Sequence, residues 1–209
     1  MASVSTRMWA SLEKWSAVIF LLSGVLLLVG TVVIGLQLLT GDPNFLKDPF
    51  ELAPPLGFVV SYIGLLGLYP RLADSFPRLA RVSVGLLLIP VVVLLIYVVA
   101  TPLGVTIPYG GTIAIGAFFL FAVGIGLFGV GSYRIPELSN TFAVALLAIS
   151  ATYFIVLGDG LWNGFPNSQS VLFATVVIQT GALFAIGYLL YTEEEPATRT
   201  EPASDTAVR

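Results

Sequence analysis

The sequence predicts an all-α membrane protein with six transmembrane helices packed in a bundle. Only 10% of its residues are charged, against about 25% in soluble domains. The charged residues are also unevenly distributed, because five long apolar stretches contain none of them. A charge at mid-bilayer costs about 2.5–3.5 kcal/mol or more, so each stretch marks one or two membrane spans. The stretches are Trp15–Gly41, Leu52–Pro70, Val82–Tyr133, Leu138–Gly158 and Gly160–Thr192.

The first two stretches each predict one span. The first, 16–39, is too long for the apolar region of a signal peptide, which has about 7–15 residues, and we expect a retained helix. The second span, 54–69, carries Pro54 and Pro55 in its first turn, where a missing amide hydrogen removes no helical hydrogen bond.

The remaining stretches predict four more spans. Val82–Tyr133 holds two of them, 81–100 and 111–133, because the Pro- and Gly-rich segment between them breaks helices. Pro90 lies within the third span and is expected to kink it. The fifth and sixth spans are predicted at 140–157 and 170–191.

The sequence divides into three regions. Residues 1–15 are predicted to be a cytoplasmic interfacial lead-in. Residues 16–191 form the transmembrane domain, and 192–209, which are rich in Glu, Thr and Pro, are expected to be a disordered acidic cytoplasmic tail.

The basic residues predict the orientation in the membrane. If the N-terminus is cytoplasmic, eight of the nine basic residues lie in cytoplasmic segments and only Lys47 lies outside. Loops rich in Lys and Arg remain on the cytoplasmic side, so both termini are predicted to be cytoplasmic. The eight are Arg7, Lys14, Arg71, Arg78, Arg81, Arg134, Arg199 and Arg209.

A weak internal repeat relates spans 2–3 to spans 4–5 at an offset of 59 residues. Same-orientation repeats occur in transporters, but apolar helices also match by chance because they use few residue types. The aligned pairs are Gly57/Gly116, Gly67/Gly126, Leu68/Leu127, Pro77/Pro136, Leu79/Leu138, Leu87/Leu146 and Ile96/Ile155.

Two sets of residues inside the spans are candidates for a role. Polar side chains could line a path through the bundle, although hydrogen bonds between helices also explain them. These are Gln37, Ser61, Thr152 and Gln179. Small residues could allow close helix packing. This explains Gly124–Gly129 better than its literal match to the dinucleotide-binding motif GxGxxG, because that motif requires a preceding strand. The packing candidates are Gly57, Ser61, Gly64, Ala122, Gly126, Gly181 and Ala185.

Two further groups lie near the ends of the spans. Asp159 and Trp162 sit in a predicted outer loop, where they could contact a cation or substrate, or form a solvated turn anchored by the indole. Arg71, Arg78 and Arg81 flank a cytoplasmic turn and are candidates for contact with anionic lipid head groups. Alternatively, their role in setting the membrane topology is enough to explain their presence.

The composition removes several classes of chemistry. The chain has no Cys and no His, so it lacks the commonest ligands of zinc and haem and the commonest general base. We predict no catalytic, cofactor-binding or metal-binding residue and no cofactor. The sequence has no basic patch with interleaved aromatics, and nucleic-acid binding is not expected.

The composition resembles that of multi-span membrane proteins of halophilic archaea. The resemblance rests on seven Arg against two Lys, the absence of Cys, acidic loops and the acidic Thr/Glu/Pro tail, and it includes no motif. It implies an archaeal plasma membrane and high salt, and it transfers no functional residue.

Three functions are therefore open. The first is a non-enzymatic, multi-pass membrane protein that forms an oligomer or belongs to a membrane assembly, with lipid, itself or another membrane protein as partners. The alternative is an uncoupled transporter or channel for a small neutral or apolar solute. The third is an enzyme at the outer surface.

Overall fold

A computed structural model of the chain describes residues 4–42, 44–46, 50, 52–100, 103–105, 110–135, 138–163 and 168–194. These residues form α-helices and no strand, which confirms the all-α prediction. The helices are α1 (Val4–Thr40), α2 (Ala53–Gly67), α3 (Tyr69–Ser75), α4 (Pro77–Ala100), α5 (Gly110–Ser132), α6 (Asn140–Asn163) and α7 (Gln169–Glu194).

Most of these helices have the length and composition of membrane spans. Helices α1, α4, α5, α6 and α7 are each long and apolar enough to cross a membrane. A sixth span results if α2 and α3 are counted together. The described part of the chain is thus that of a multi-pass, membrane-embedded protein with five or six spans.

Helices α2 and α3 are bent by 45° relative to each other. The break lies at Leu68, two residues before Pro70. Proline has no amide hydrogen for the carbonyl of Leu66, and its ring crowds that carbonyl, so the helix cannot continue straight. At the bend itself, the amide of Leu68 bonds to the carbonyl of Leu65, three residues earlier, at 3.1 Å. The chain predicted as one span at 54–69 therefore continues, after a bend, to Ser75.

Several helices extend beyond their predicted limits. Helix α4 begins at Pro77 instead of 81, and it runs unbroken through Pro90. Helix α6 continues to Asn163, although its glycines suggest a turn from 158. Helix α1 already includes residues 4–15 of the predicted lead-in. Helix α7 includes 192–194, and the rest of the predicted tail lies outside the described residues.

The helices pack into a ring around an apolar core. Helix α1 contacts α2 and α7, α7 contacts α6, α6 contacts α5, and α5 contacts α4, which closes the ring against α2 and α3. Helix α4 is the least buried of the long helices. Large side chains with less than 2% exposure fill the interior, among them Phe20, Phe128 and Phe142.

An ion-pair cluster joins three helices at one end of the ring. Arg71 on α3 donates from Nε to Glu13 Oε1 on α1 at 2.7 Å. Its Nη1 lies 3.8 Å from Glu193 Oε2 on α7. The beginning of α1 and the end of α7 therefore lie at the same end of the bundle. We call it the arginine end, after Arg71, Arg78, Arg81 and Arg134, and the opposite end, with Asp42 and Asp159, the aspartate end.

The two halves of the proposed repeat have different surroundings. A Cβ on Gly57 would lie 3.1 Å from Leu27 Cγ, so this glycine allows α1 to approach α2. A Cβ on Gly116, its counterpart, would meet no heavy atom within 4 Å. The repeat stays a prediction.

Candidate functional site

Two of the predicted path residues form a buried hydrogen bond. Gln179 on α7 donates from Nε2 to Thr152 Oγ1 on α6 at 2.7 Å. The Thr152 hydroxyl donates in turn to the carbonyl of Ile149 at 2.6 Å. Gln179 is 3% exposed and Thr152 is 1% exposed. The amide thus joins two helices deep in the bundle instead of facing lipid.

Ser61 and Gln179 both line a small, largely enclosed cavity in the core. The space in it that the centre of a water molecule could occupy is about 10 Å³, which is the lower limit for a single water. Five helices contribute to its wall. Three of the four predicted path residues are therefore close together, but around a space far smaller than an organic solute.

An aromatic cluster packs against this cavity. The ring of Tyr153 lies 5.1 Å from that of Phe121 and 5.9 Å from those of Phe58 and Phe118. These distances are typical of favourable aromatic packing. The rings come from α2, α5 and α6, so they fix the centre of the bundle and close the cavity on that side.

Gln37 lies apart from the other path residues. It is at the aspartate end of α1, where its Nε2 donates to the carbonyl of Phe45 at 3.2 Å. This bond holds the segment that follows α1. Gln37 does not line the core cavity at which Ser61 and Gln179 meet.

Hydroxyl groups join further pairs of neighbouring helices. Ser23 on α1 donates to the carbonyl of Gly57 on α2, and Ser150 on α6 to that of Ala122 on α5, each at 2.7 Å. Thr31 on α1 and Thr180 on α7 share a hydrogen bond of 3.1 Å. The predictions missed Ser23, Ser150 and Thr31, although a hydroxyl deep in an apolar span was an available signal.

Most of the predicted packing residues lie where two helices meet closely. A Cβ on Gly64 would lie 3.0 Å from Phe20 Cε2, and one on Gly126 would lie 2.9 Å from Ser150 Oγ. Ala122 is fully buried. Because any larger side chain would force neighbours apart, small residues here allow close approach of the helices.

Gly181 is different, because it faces outward. A Cβ there would meet no heavy atom within 4 Å, and the residue is exposed. Ala185, four residues later, is partly exposed on the same side of α7. Together they form a small-xxx-small pattern on the outer surface of the bundle, which we call the Gly181 face.

Asp159 organises the connection between α6 and α7. Its Oδ1 accepts from Asn163 Nδ2 at 2.7 Å, and its Oδ2 accepts from the backbone amide of Ser168 at 3.0 Å. The carboxylate thereby links the last turn of α6 to the residue that precedes α7. Trp162 is 90% exposed at the same end. Asp159 is thus hydrogen-bonded at the adjoining ends of α6 and α7, and the indole of Trp162 is exposed.

The three predicted lipid-contact arginines differ in their surroundings. Arg71 is held by Glu13 and Glu193, as described above. Arg78 and Arg81 are exposed on α4. Within the described residues, neither forms an ion pair. Among the described residues, Arg78 and Arg81 are thus more exposed to an outside anion than Arg71.

In the part of the chain that the structure describes, the core cavity brings together amide and hydroxyl groups. Among the described residues, no group of three or more His, Cys, Asp or Glu side chains could hold a metal ion. Comparisons of this chain with models of protein families, with curated proteins and with solved structures find no significant match.

Proposed function

We propose that this chain is a non-enzymatic, multi-pass protein of the plasma membrane that works by associating with a second copy of itself or with another membrane protein. It crosses the bilayer six times, with α2 and α3 as one bent span and both termini in the cytoplasm. The proposed setting is the membrane of a halophilic archaeon, which only the composition supports.

The charges and the Arg71 cluster support this orientation. The beginning of α1 and the end of α7 lie at the same end of the bundle, as an even number of crossings requires. That end carries Arg71, Arg78, Arg81 and Arg134, and basic residues are retained on the cytoplasmic side. The arginine end is therefore assigned to the cytoplasm.

The Gly181 face is the observation that carries the proposed association. Helices associate in lipid by van der Waals packing, which is best where small residues let two backbones approach. Gly85 is another outward-facing glycine at which a Cβ would meet nothing, but it has the large residues Arg81 and Ile89 four positions before and after it. Gly181 instead has Ala185 four positions after it, so two small residues follow each other on this side of α7, where another helix could approach.

Counting subunits by single-molecule photobleaching in lipid vesicles tests the association, at protein-to-lipid ratios low enough to prevent chance co-localisation. We expect two or more copies, or a co-purifying membrane protein, for the native chain. Gly181→Ile should abolish the association, because the side chain would hold the two helices apart. Gly85→Ile, the matched control, also projects into open space and should leave association intact. Single copies without a partner for the native chain, or equal behaviour of the two variants, would refute the proposal.

An uncoupled path for a small neutral solute is the second candidate. The meeting of Ser61, Thr152 and Gln179 near one cavity favours it. The size of that space and the pairing of Gln179 with Thr152 weigh against it. An outer-surface enzyme has less support, because both carboxylate oxygens of Asp159 accept hydrogen bonds from its own connection.

A further inference from the structure

An open groove of about 550 Å³ lies on the outer surface at the arginine end. It runs along the first turns of α4 and is closed on one side by Leu127 of α5. Its wall is apolar apart from Ser75 and Arg78, and it includes Val82. The groove therefore combines one basic side chain with an apolar wall.

The positions along the helices place the basic group near the helix ends and the apolar wall further along the helices. Val82 lies five residues after the start of α4, and Leu127 lies five residues before the end of α5. At 1.5 Å per residue, both are about 7.5 Å deeper than the ends of their helices. Arg78, near the first residue of α4, lies at the mouth of the groove.

The surface of α4 beyond the groove is also suited to an extended chain. Arg81 precedes Gly85 by four residues and Val82 precedes it by three, so all three share one side of the helix. A Cβ on Gly85 would meet no atom within 4 Å. Exposed Leu88, Ile89 and Val92 follow. The exposed surface of α4 beyond the groove is therefore apolar at these positions.

We propose that this groove binds one anionic phospholipid, with its phosphate at Arg78 and Arg81 and an acyl chain along Val82, Leu127 and Gly85. This inference rests on the proposed placement of the bundle in a membrane. It uses two of the three arginines that the sequence suggests, because Arg71 is paired with Glu13 and Glu193. The lipid head group complements the charge of the two exposed guanidinium groups, and its chain complements the apolar wall.

Native mass spectrometry of the full chain, titrated with phosphatidylglycerol or phosphatidylcholine in a mild detergent, tests the site. We expect one phosphatidylglycerol to be retained in preference to phosphatidylcholine. Arg78→Gln and Arg81→Gln should each weaken its binding about fivefold, as expected for the loss of one basic residue near an anionic surface. Arg134→Gln is the matched control, because it removes an exposed arginine that follows α5 at the same end, whereas Arg78 and Arg81 lie one turn apart on α4, and it should change nothing.

A second variant tests the groove itself. Leu127→Trp should fill it and displace the lipid while both arginines remain. Equal retention of the two lipids, displacement of phosphatidylglycerol by inorganic phosphate, or equal loss in Arg134→Gln would overturn the proposal. Gly181→Ile should still bind the lipid, so a failure of lipid binding is distinguishable from a failure of the proposed association.

Discussion

Gln179 on α7 donates a 2.7 Å hydrogen bond to Thr152 on α6, and both side chains are buried. A glutamine in an apolar span can mark a path for solute, or it can join two helices. Here its nitrogen is paired inside the bundle, beside a space of about one water molecule. The contact favours a closed structural core over an open pore.

Thr152→Val tests this contact by removing the acceptor of the Gln179 amide without changing the size of the side chain. The free energy of unfolding should fall by about 1–3 kcal/mol, the cost of leaving a buried polar group unpaired. The double variant Thr152→Val/Gln179→Leu removes both partners, so it should be less destabilised than Thr152→Val alone. Reversible unfolding in mixed micelles measures both values. If the double variant is instead less stable than Thr152→Val, the two residues do not act as a hydrogen-bonded pair.

Gly67→Ala and Gly85→Ala form a matched pair that tests the helix packing. A Cβ on Gly67 would lie 2.7 Å from the backbone oxygen of Leu12, whereas one on Gly85 would meet nothing within 4 Å. We expect Gly67→Ala to lower the free energy of unfolding by about 1–3 kcal/mol through overpacking. Gly85→Ala should be neutral or stabilising by up to about 1 kcal/mol, because alanine is the better helix former. The same unfolding assay measures both, and equal effects would contradict the packing between α1 and α2.

Helix limits were predictable to the extent that charges and helix breakers mark them. The charge-free stretches located every long helix, because a bilayer excludes charge. The bend at Leu68 was missed because Pro70 stands at the end of a charge-free stretch, where it suggests the end of a span. The continuation of α6 to Asn163 was missed because Gly158 and Gly160 suggest a turn. The hydrogen bond between Asp159 and Asn163, four residues apart, supports the helix there.

The partners of the buried polar residues could not be predicted. Apolar residues occur on all sides of every span, so their pattern does not indicate which side of a helix faces a neighbour. Gln37 and Gln179 were therefore equivalent in the sequence, although only Gln179 reaches the core. For the same reason, the sequence did not indicate that Gly181 faces outward.

Replacing Arg71 tests the ion-pair cluster. Arg71→Gln removes both the 2.7 Å contact with Glu13 and the longer one with Glu193. Because these side chains are about a third exposed, water and salt screen the pairs, and the loss of stability should be at most about 1 kcal/mol. Thermal unfolding at low and high salt should show this difference shrinking as salt rises. An unchanged difference would argue against an electrostatic role.

Asp159→Ala tests the connection at the aspartate end. The substitution removes the acceptor of the Ser168 amide, so hydrogen exchange at that amide should become several-fold faster. Trp162→Ala is the control, because the side chain is 90% exposed and should not affect exchange at Ser168. Unchanged exchange in Asp159→Ala would show that other contacts hold the connection.

The most direct test of the closed core is thiol labelling in sealed vesicles, which the absence of cysteine in the native chain makes simple. Ser61→Cys places a thiol at the wall of the internal cavity, whereas Ser75→Cys and Asn163→Cys place one at each end of the bundle. A membrane-impermeant reagent should label the two controls from opposite sides and leave Ser61→Cys unlabelled from both. Rapid labelling of Ser61→Cys from either side would reveal a water path to the core, and it would contradict the structural role in favour of transport.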